Sequence, residues 1–376
     1  YIPSKTQGST AQRLIYNPPF AITQSVSFAT STTPTFTLGT PIPAPVVQNP
    51  DNPSVSVNYY DPNMRDSYAE QWNIDLERQL AENWLLDVAY VGTHGLKLMN
   101  SFNINQAIPG PGPLNSRFPI TPNLTSIDAT QDLGNSIYHS LQVRLQKRFS
   151  SGLSFLASYT FAKSIDSGMS TGTLGPNGSP QNPEDLSAER GLSTFDVRHR
   201  FVFSGLYALP FGKGQMLLSN SNKFVDTIAG GWQMNAILTL QSGLPFTPTI
   251  VSDPANSNGS FNRPNRSGSG ALPSDQRSIS DWFAISDFSL PAPFTYGNSG
   301  RDILIGPGTI NLDLSLFKTF SITERTSLQF RAESFNLANH PQFANPATAI
   351  DAPGAGAITS TYNKGRELQL ALKLLF

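Results

Sequence analysis

In a series of segments along the chain apolar and polar residues alternate one by one. Between His139 and Phe149, Leu141, Val143 and Leu145 fall on one face, and Gln142, Arg144 and Gln146 on the other. Period two places successive side chains on opposite faces of a β-strand. A helix would bring Leu141 and Leu145 together but leave Val143 on the far side. After Ser150-Ser151-Gly152 the pattern resumes, with Phe155, Ala157, Tyr159 and Phe161 against Ser154, Ser158 and Thr160. Trp72, Ile74, Leu76 and Leu80 oppose Asn73, Asp75, Glu77 and Gln79, with Arg78 interrupting, and Trp84, Leu86, Val88 and Tyr90 follow. Phe201, Phe203 and Tyr207 share a face, as do Trp232, Met234, Ala236, Leu238 and Leu240. Leu312, Leu314 and Leu316 alternate with Asn311, Asp313 and Ser315, and Leu328, Phe330 and Ala332 with Gln329, Arg331 and Glu333. The last segment sets Leu368, Leu370, Leu372, Leu374 and Phe376 against Gln369, Ala371 and Lys373; a weaker one lies within residues 12–29. The pattern predicts about ten strands of roughly 10–14 residues, longer than most globular strands and long enough to cross a bilayer when tilted.

The connections alternate in length. Residues 81–83, 150–152 and 323–325 are tight turns, whereas residues 100–136, 167–196, 245–309 and 340–363 are long and hold many of the 29 Gly and 30 Pro. Outer-membrane barrels pair short periplasmic turns with long extracellular loops. With Phe376 ending at the periplasmic side, counting strands backwards puts every long segment outside; residues 210–230 are the one long connection on the short-turn side. Trp84, Phe149, Phe161, Trp232 and Phe320 stand near strand ends, where an interfacial girdle belongs. The expected fold is all-β: an antiparallel transmembrane β-barrel, seen in part, with about ten strands of a larger barrel. Residues 1–66 are expected to hold the weak first strand and a long loop, and residues 67–376 the C-terminal barrel strands with their long extracellular loops. A soluble barrel or sandwich shows the same alternation turned inside out, but structureless connections of this length are uncommon in compact soluble domains.

Composition narrows the partners. A formal net charge of −1 with 14% charged residues gives no electrostatic reason to expect nucleic acid. The absence of Cys removes disulfides and thiolate chemistry. No apolar run approaches the ~18 residues of a transmembrane helix, and a mean hydropathy of −0.22 reads as soluble; barrel strands, being half apolar, escape both tests. Tyr1 is followed by no charged and hydrophobic leader, so the chain is expected to be a processed protein or a piece of a longer one.

No catalytic constellation is present. His94, His139, His199 and His340 are scattered without metal-ligand spacing, and there is neither a G-x-S-x-G elbow nor a Walker A loop. No enzyme activity, metal or cofactor is expected. Asp196, Arg198, His199 and Arg200 form the densest charged cluster; ligand or lipopolysaccharide contact at a barrel rim is one reading, a solvated strand start the favoured one. Asn262, Arg263, Asn265 and Arg266 lie in the longest loop, as ligand contacts or as a polar loop. Arg198, His199, Arg200, Arg263 and Arg266 are therefore the candidate ligand-binding residues. Arg144, Asp313, Arg331, Glu333 and Lys373 carry mixed signs and are expected to pair across the polar side of the wall.

One segment, GLSTFDVRHRFVFSGLYALPFGKG from Gly191 to Gly214, resembles the barrel of TonB-dependent outer-membrane receptors, above all the large Oar-like receptors that carry an N-terminal carboxypeptidase-regulatory-like domain. YAEQWN from Tyr68, YVGTHG from Tyr90, YTFAK from Tyr159 and RAESFNLANH from Arg331 match in the same order. The resemblance implies a barrel of about twenty-two strands filled by a plug, in the outer membrane of a Gram-negative bacterium. It also implies coupling to the TonB complex through the plug and uptake of a large or scarce solute. With about ten strands, and neither a plug nor a TonB box near Tyr1, the chain is expected to be the C-terminal part of such a receptor. The alternatives are a non-transporting barrel adhesin or scaffold and a soluble β-rich binding domain. Siderophores, oligosaccharides and peptides all remain open as ligands.

Overall fold

Tight turns set the register. In the computed structural model of the protein, which describes Asn17, residues 56–168 and residues 180–376, Ser150 pairs directly with Leu153. The two residues between them, Ser151 and Gly152, have φ of 51° and 79°. Two successive positive φ values mark the hairpin turn whose twist matches that of its strands, and glycine at the second position adopts it freely.

The chain-order elements are β1 (Ser56–Tyr60), β2 (Tyr68–Ala81), β3 (Trp84–Asn103), β4 (Ser126–Ser150), β5 (Leu153–Asp166), β6 (Gly191–Leu192), β7 (His199–Ala208), α1 (Lys223–Ala229), β8 (Trp232–Gln241), β9 (Pro245–Phe246), β10 (Asn265–Arg266), β11 (Phe288–Ser289), β12 (Leu304–Ile305), β13 (Thr309–Ser321), β14 (Ser327–Phe335) and β15 (Glu367–Leu375). Nine long strands form one antiparallel meander in the order β15-β14-β13-β8-β7-β5-β4-β3-β2. Each alternating segment from Trp72 onward becomes one of them; the weaker candidate in residues 12–29 lies, Asn17 apart, outside the described residues. Among the described residues β2 and β15 each pair along one side only, so the sheet has two free edges.

A row of paired residues drifts along the sheet. Trp84, Lys147, Phe155, Gly205, Ala236, Leu314, Ser334 and Leu368 are successive cross-strand partners. The row begins at the turn end of β3 and finishes near the loop end of β15. This stagger is the shear that makes strands tilt in a barrel wall.

The two faces differ as the alternation predicts. Ile74, Leu76, Leu141, Leu368, Leu370 and Leu372 are exposed on the apolar face, between 42% and 75%. The opposite face is polar and concave: a hollow of about 520 Å³ is lined by Gln71, Asn73, Asp87, Gln142, Arg144 and Thr160, among others. There Arg144 pairs with Asp87 at 2.7 Å and approaches Glu77 at 3.9 Å, and Asp313 accepts the Asn336 amide at 2.8 Å. Water-facing pairs of this kind contribute at most about 1 kcal/mol each.

Near both strand ends aromatic residues gather on the apolar face. At the turn end Trp84 meets Phe155 edge-on at 5.4 Å, and Trp232 meets Phe330 at 6.1 Å. Toward the loop end the Tyr90 and Tyr159 hydroxyls each lie 2.8 Å from a histidine Nδ1, that of His139 and His199 respectively.

The long connections are not structureless. β3 and β4 run on beyond the wall as a ribbon, to which β1 adds a parallel strand by pairing Ser56–Tyr60 with residues 126–130. Residues 245–309 carry the ladders β9–β12 and β10–β11. Phe246, Phe283, Phe288 and Leu304 close into a small hydrophobic core beneath Trp282 and Ile350. A loop of sixty-odd residues can stay ordered because it buries a core of its own.

Candidate ligand chamber among the long connections

Two buried arginines knit three long connections together. Arg263, in the β8–β13 connection, and Glu189, in the β5–β7 connection, are both nearly fully buried and bond in bidentate fashion at 2.8 and 2.9 Å. Such charges are tolerable in the interior only when paired with matching geometry. Gln181 closes the arrangement: its amide donates to Glu189 Oε1 at 3.1 Å, its Oε1 accepts the Arg263 amide at 2.7 Å, and its Nε2 donates to the Gly297 carbonyl at 2.9 Å. The Gln181 carbonyl in turn accepts Gln106 Nε2 at 2.9 Å. That side chain also reaches the Tyr296 hydroxyl at 3.1 Å, which ties in the β3–β4 connection. Burial pushes the Tyr296 phenol above its ordinary range, against the pull of hydrogen bonds with Gln106 and Ser257.

Arg301 makes the second node. Its Nε donates to the Glu189 carbonyl at 2.9 Å, its Nη1 to Asp302 at 2.7 Å, and its Nη2 to the Asp166 carbonyl at 3.0 Å and to the Asp166 carboxylate. Gly168, with φ of 72°, packs so closely on this guanidinium that a Cβ would overlap it. Asp302 is held by an exchange with Thr247, whose hydroxyl donates to the carboxylate at 3.0 Å and receives the Asp302 amide at 2.8 Å.

Beside these nodes lies a chamber of about 470 Å³, within the size range of small-molecule sites. Phe246, Phe261, Leu244 and Tyr362 supply apolar wall, Thr247 and Asn345 polar groups, and Arg263 and Arg301 the cations. The β14–β15 connection is stapled alongside by Asp351. Its carboxylate accepts the Val251 amide at 2.7 Å, the Ser252 amide at 2.9 Å and the Ser252 hydroxyl at 2.7 Å. Burial works to raise its pKa, but these donors hold the carboxyl below its usual range. Arg263 Nε is buried and has no hydrogen-bond partner among the described residues. Among those residues no group of three or more His, Asp and Glu is placed to hold a metal.

The model of the outer membrane beta barrel domain family matches residues 1–369. The chain belongs to that family. It is an outer-membrane β-barrel protein of the Gram-negative envelope. Solved structures similar to it include the outer membrane transporter YddB from Escherichia coli, at 11% identity over 86% of this chain and 34% of that one, with a TM-score of 0.44. The pyoverdine outer membrane receptor FpvA from Pseudomonas aeruginosa PAO1, bound to pyoverdine, is 10% identical over 83% of this chain and 30% of that one, with a TM-score of 0.42. The chain thus spans about a third of the length of the solved proteins it resembles. A comparison with curated proteins found no match.

In an outer-membrane β-barrel the exposed apolar face meets lipid and the concave polar face water, and the two aromatic rows mark the interfaces. The candidate residues separate accordingly. Arg198 packs its guanidinium 5.7 Å over the Phe161 ring. His199 stacks with Tyr159 and lies 5.1 Å from Phe161, as part of the loop-end aromatic row. Arg200 is exposed with the parity of the polar face, opposite Thr160 and Gln241. All three lie outside the chamber wall, whereas Arg263 is in it. Arg266 is spent on its own loop, donating to the Gly268 and Ser269 carbonyls at 2.6 and 3.0 Å. Neighbouring Asp196 is buried and accepts the Ser164 amide at 2.5 Å. Glu189, Gln181, Arg301 and Asp302 do not stand out in the sequence: each sits in a polar loop, and the partners that draw it into the network are mostly distant along the chain.

Proposed function

We propose that the chain is barrel wall and ligand-capturing loop layer of a TonB-dependent outer-membrane receptor of the Oar-like kind. In this reading the long connections face the outside and hold a large or scarce solute in the chamber. The nine described strands belong to a larger barrel, of about twenty-two strands in such receptors. A plug supplied elsewhere in the receptor couples release to the TonB complex. The observation that carries the reading is the chamber itself. Three connections converge on it, and a network of buried ion pairs keeps its shape before any ligand arrives, which lowers the ordering cost of binding. The Arg263 Nε–H, without a partner among the described residues, offers an acceptor on the ligand a buried donor, worth about 1–3 kcal/mol if satisfied. The motifs from Tyr68 to His340 add the family resemblance, and the free edges of β2 and β15 call for further strands.

Uptake of labelled ferric siderophores, oligosaccharides and oligopeptides is the test, in cells that carry the protein with and without TonB. At least one class is expected to accumulate only with TonB, and to lose most of that accumulation in a Tyr362→Asp variant, which sets a charge at an exposed position of the chamber wall. Accumulation of none, with the protein present in the outer membrane, would favour an adhesin or scaffold and sink the transport reading.

A further inference from the structure

The connection between β7 and β8 is built unlike the other turns. Met216, Leu217, Leu218, Phe224, Val225 and Ile228 are all exposed in it, Met216 to 79% and Phe224 to 74%. Clustered exposed apolar surface marks a site of contact. α1 is capped by Asn222, whose Oδ1 accepts the Val225 amide at 2.9 Å. At 100° per residue Phe224, Val225 and Ile228 share one arc of this helix, and Lys223, Asp226 and Thr227 the other. The polar arc is turned inward: Asp226 Oδ1 accepts the Lys213 amide at 2.6 Å, folding the first half of the connection against the helix.

The end of α1 is tied to the lipid-facing side of the wall. Trp232 Nε1 donates to the Ile228 carbonyl at 2.9 Å, and Lys318 Nζ to the Gly230 carbonyl. Trp232 and Lys318 are direct partners across β8 and β13 and have the parity of the apolar face. The Lys318 ammonium sits 5.7 Å from the Trp232 ring and 5.0 Å from that of Phe320, within the turn-end aromatic row. The exposed arc of α1 is therefore continuous with the surface that lipid already covers. We propose that residues 211–229 are an interfacial anchor, lying in the boundary between headgroups and acyl chains of the phospholipid leaflet at the turn end. Short amphipathic helices bury their apolar arc there, and lysines on the polar side favour lipid phosphates. Lys213 and Lys223 are both exposed and outnumber the one acidic residue of the segment, Asp226.

The chain has no cysteine, so single-cysteine variants can be spin-labelled without background. In the full chain reconstituted in phosphatidylethanolamine–phosphatidylglycerol vesicles, nitroxide collisions with oxygen, which concentrates in lipid, are compared with those of a water-soluble nickel chelate. Met216→Cys, Phe224→Cys and Ile228→Cys are expected to show an oxygen-to-nickel ratio several-fold above that of Gln215→Cys and Thr227→Cys. All five positions are exposed, so the labels displace no packed side chain. Val143→Cys, on the lipid-facing side of the wall, serves as the standard that verifies insertion in each preparation. Equal nickel access at all five positions would mean the segment stands in water, and overturns the proposal. Exclusion of both reagents from 224 and 228 would mean that protein covers the helix, and overturns it equally.

Discussion

Arg263 and Glu189 are 74 residues apart in sequence and bond through two parallel hydrogen bonds in the interior of the loop layer. Deleting one member strands the other. Arg263→Met is expected to cost about 3–5 kcal/mol of local stability, because an unpaired buried carboxylate remains. Arg263→Met combined with Glu189→Leu is expected to recover most of that loss. Hydrogen exchange over residues 180–190 and 262–266 measures both, and equal exchange in the single and double variants would show that the pair contributes nothing as a pair. Asp351 behaves differently because it titrates. Its folded pKa lies below the ordinary carboxylate value, so its contribution is complete above that ordinary value and is lost as pH falls through the folded pKa. Exchange of the Val251 and Ser252 amides is expected to accelerate only in strongly acidic solution, once corrected for intrinsic rates. In Asp351→Asn that acid step disappears; its persistence would assign it to another carboxylate.

At the scale of elements, alternation determines which side of the wall a residue serves, and neighbours in sequence respond oppositely to the same change. Val143 has the parity of exposed Leu141 and the lipid-facing side, and Gln142 that of Arg144 and the polar concavity. Val143→Arg is expected to cost about 2–4 kcal/mol if the position lies near the bilayer midplane, and Gln142→Arg less than about 1 kcal/mol. Urea titration of folding into lipid vesicles compares the two, and similar costs would contradict the facing. This is also where the sequence was most legible. Leu141, Val143 and Leu145 announce a strand because period two leaves no helical alternative, and the nine long strands follow from that one rule. β1 was not legible, since Val57 and Tyr59 alternate with Ser56 and Asn58 over too short a run to stand out, and the parallel pairing with β4 lies seventy residues away in sequence. The chamber was legible only at Arg263. Arg263 meets Glu189 and Arg301 meets Asp166 through tertiary contacts of 74 and 135 residues' separation that no local pattern encodes.

The whole sheet poses a problem that the residues and strands do not. Among the described residues β2 and β15 are hydrogen-bonded on one side each, yet both carry exposed leucines or isoleucine on the lipid-facing side, so both lie within the membrane. Every unpaired amide in hydrocarbon costs several kcal/mol, and half the amides of each edge strand point away from the sheet. Partners must therefore meet both edges, whether further strands of the same barrel, the same chain closing on itself, or a second copy. The amides of β2 that face away from β3, and those of β15 that face away from β14, are expected to exchange with deuterium in membranes as slowly as those in the middle of β5. Exchange faster by orders of magnitude at either edge would show that edge to be open, and would remove the structural reason for assigning the nine strands to a larger barrel. If both edges are protected, a cysteine at Ile74 paired in turn with cysteines at Leu368, Leu370 and Leu372 separates the closures. A disulfide within one chain means that β2 meets β15 directly, a disulfide between two chains means that copies join edge to edge, and no disulfide at any position means that other strands stand between them.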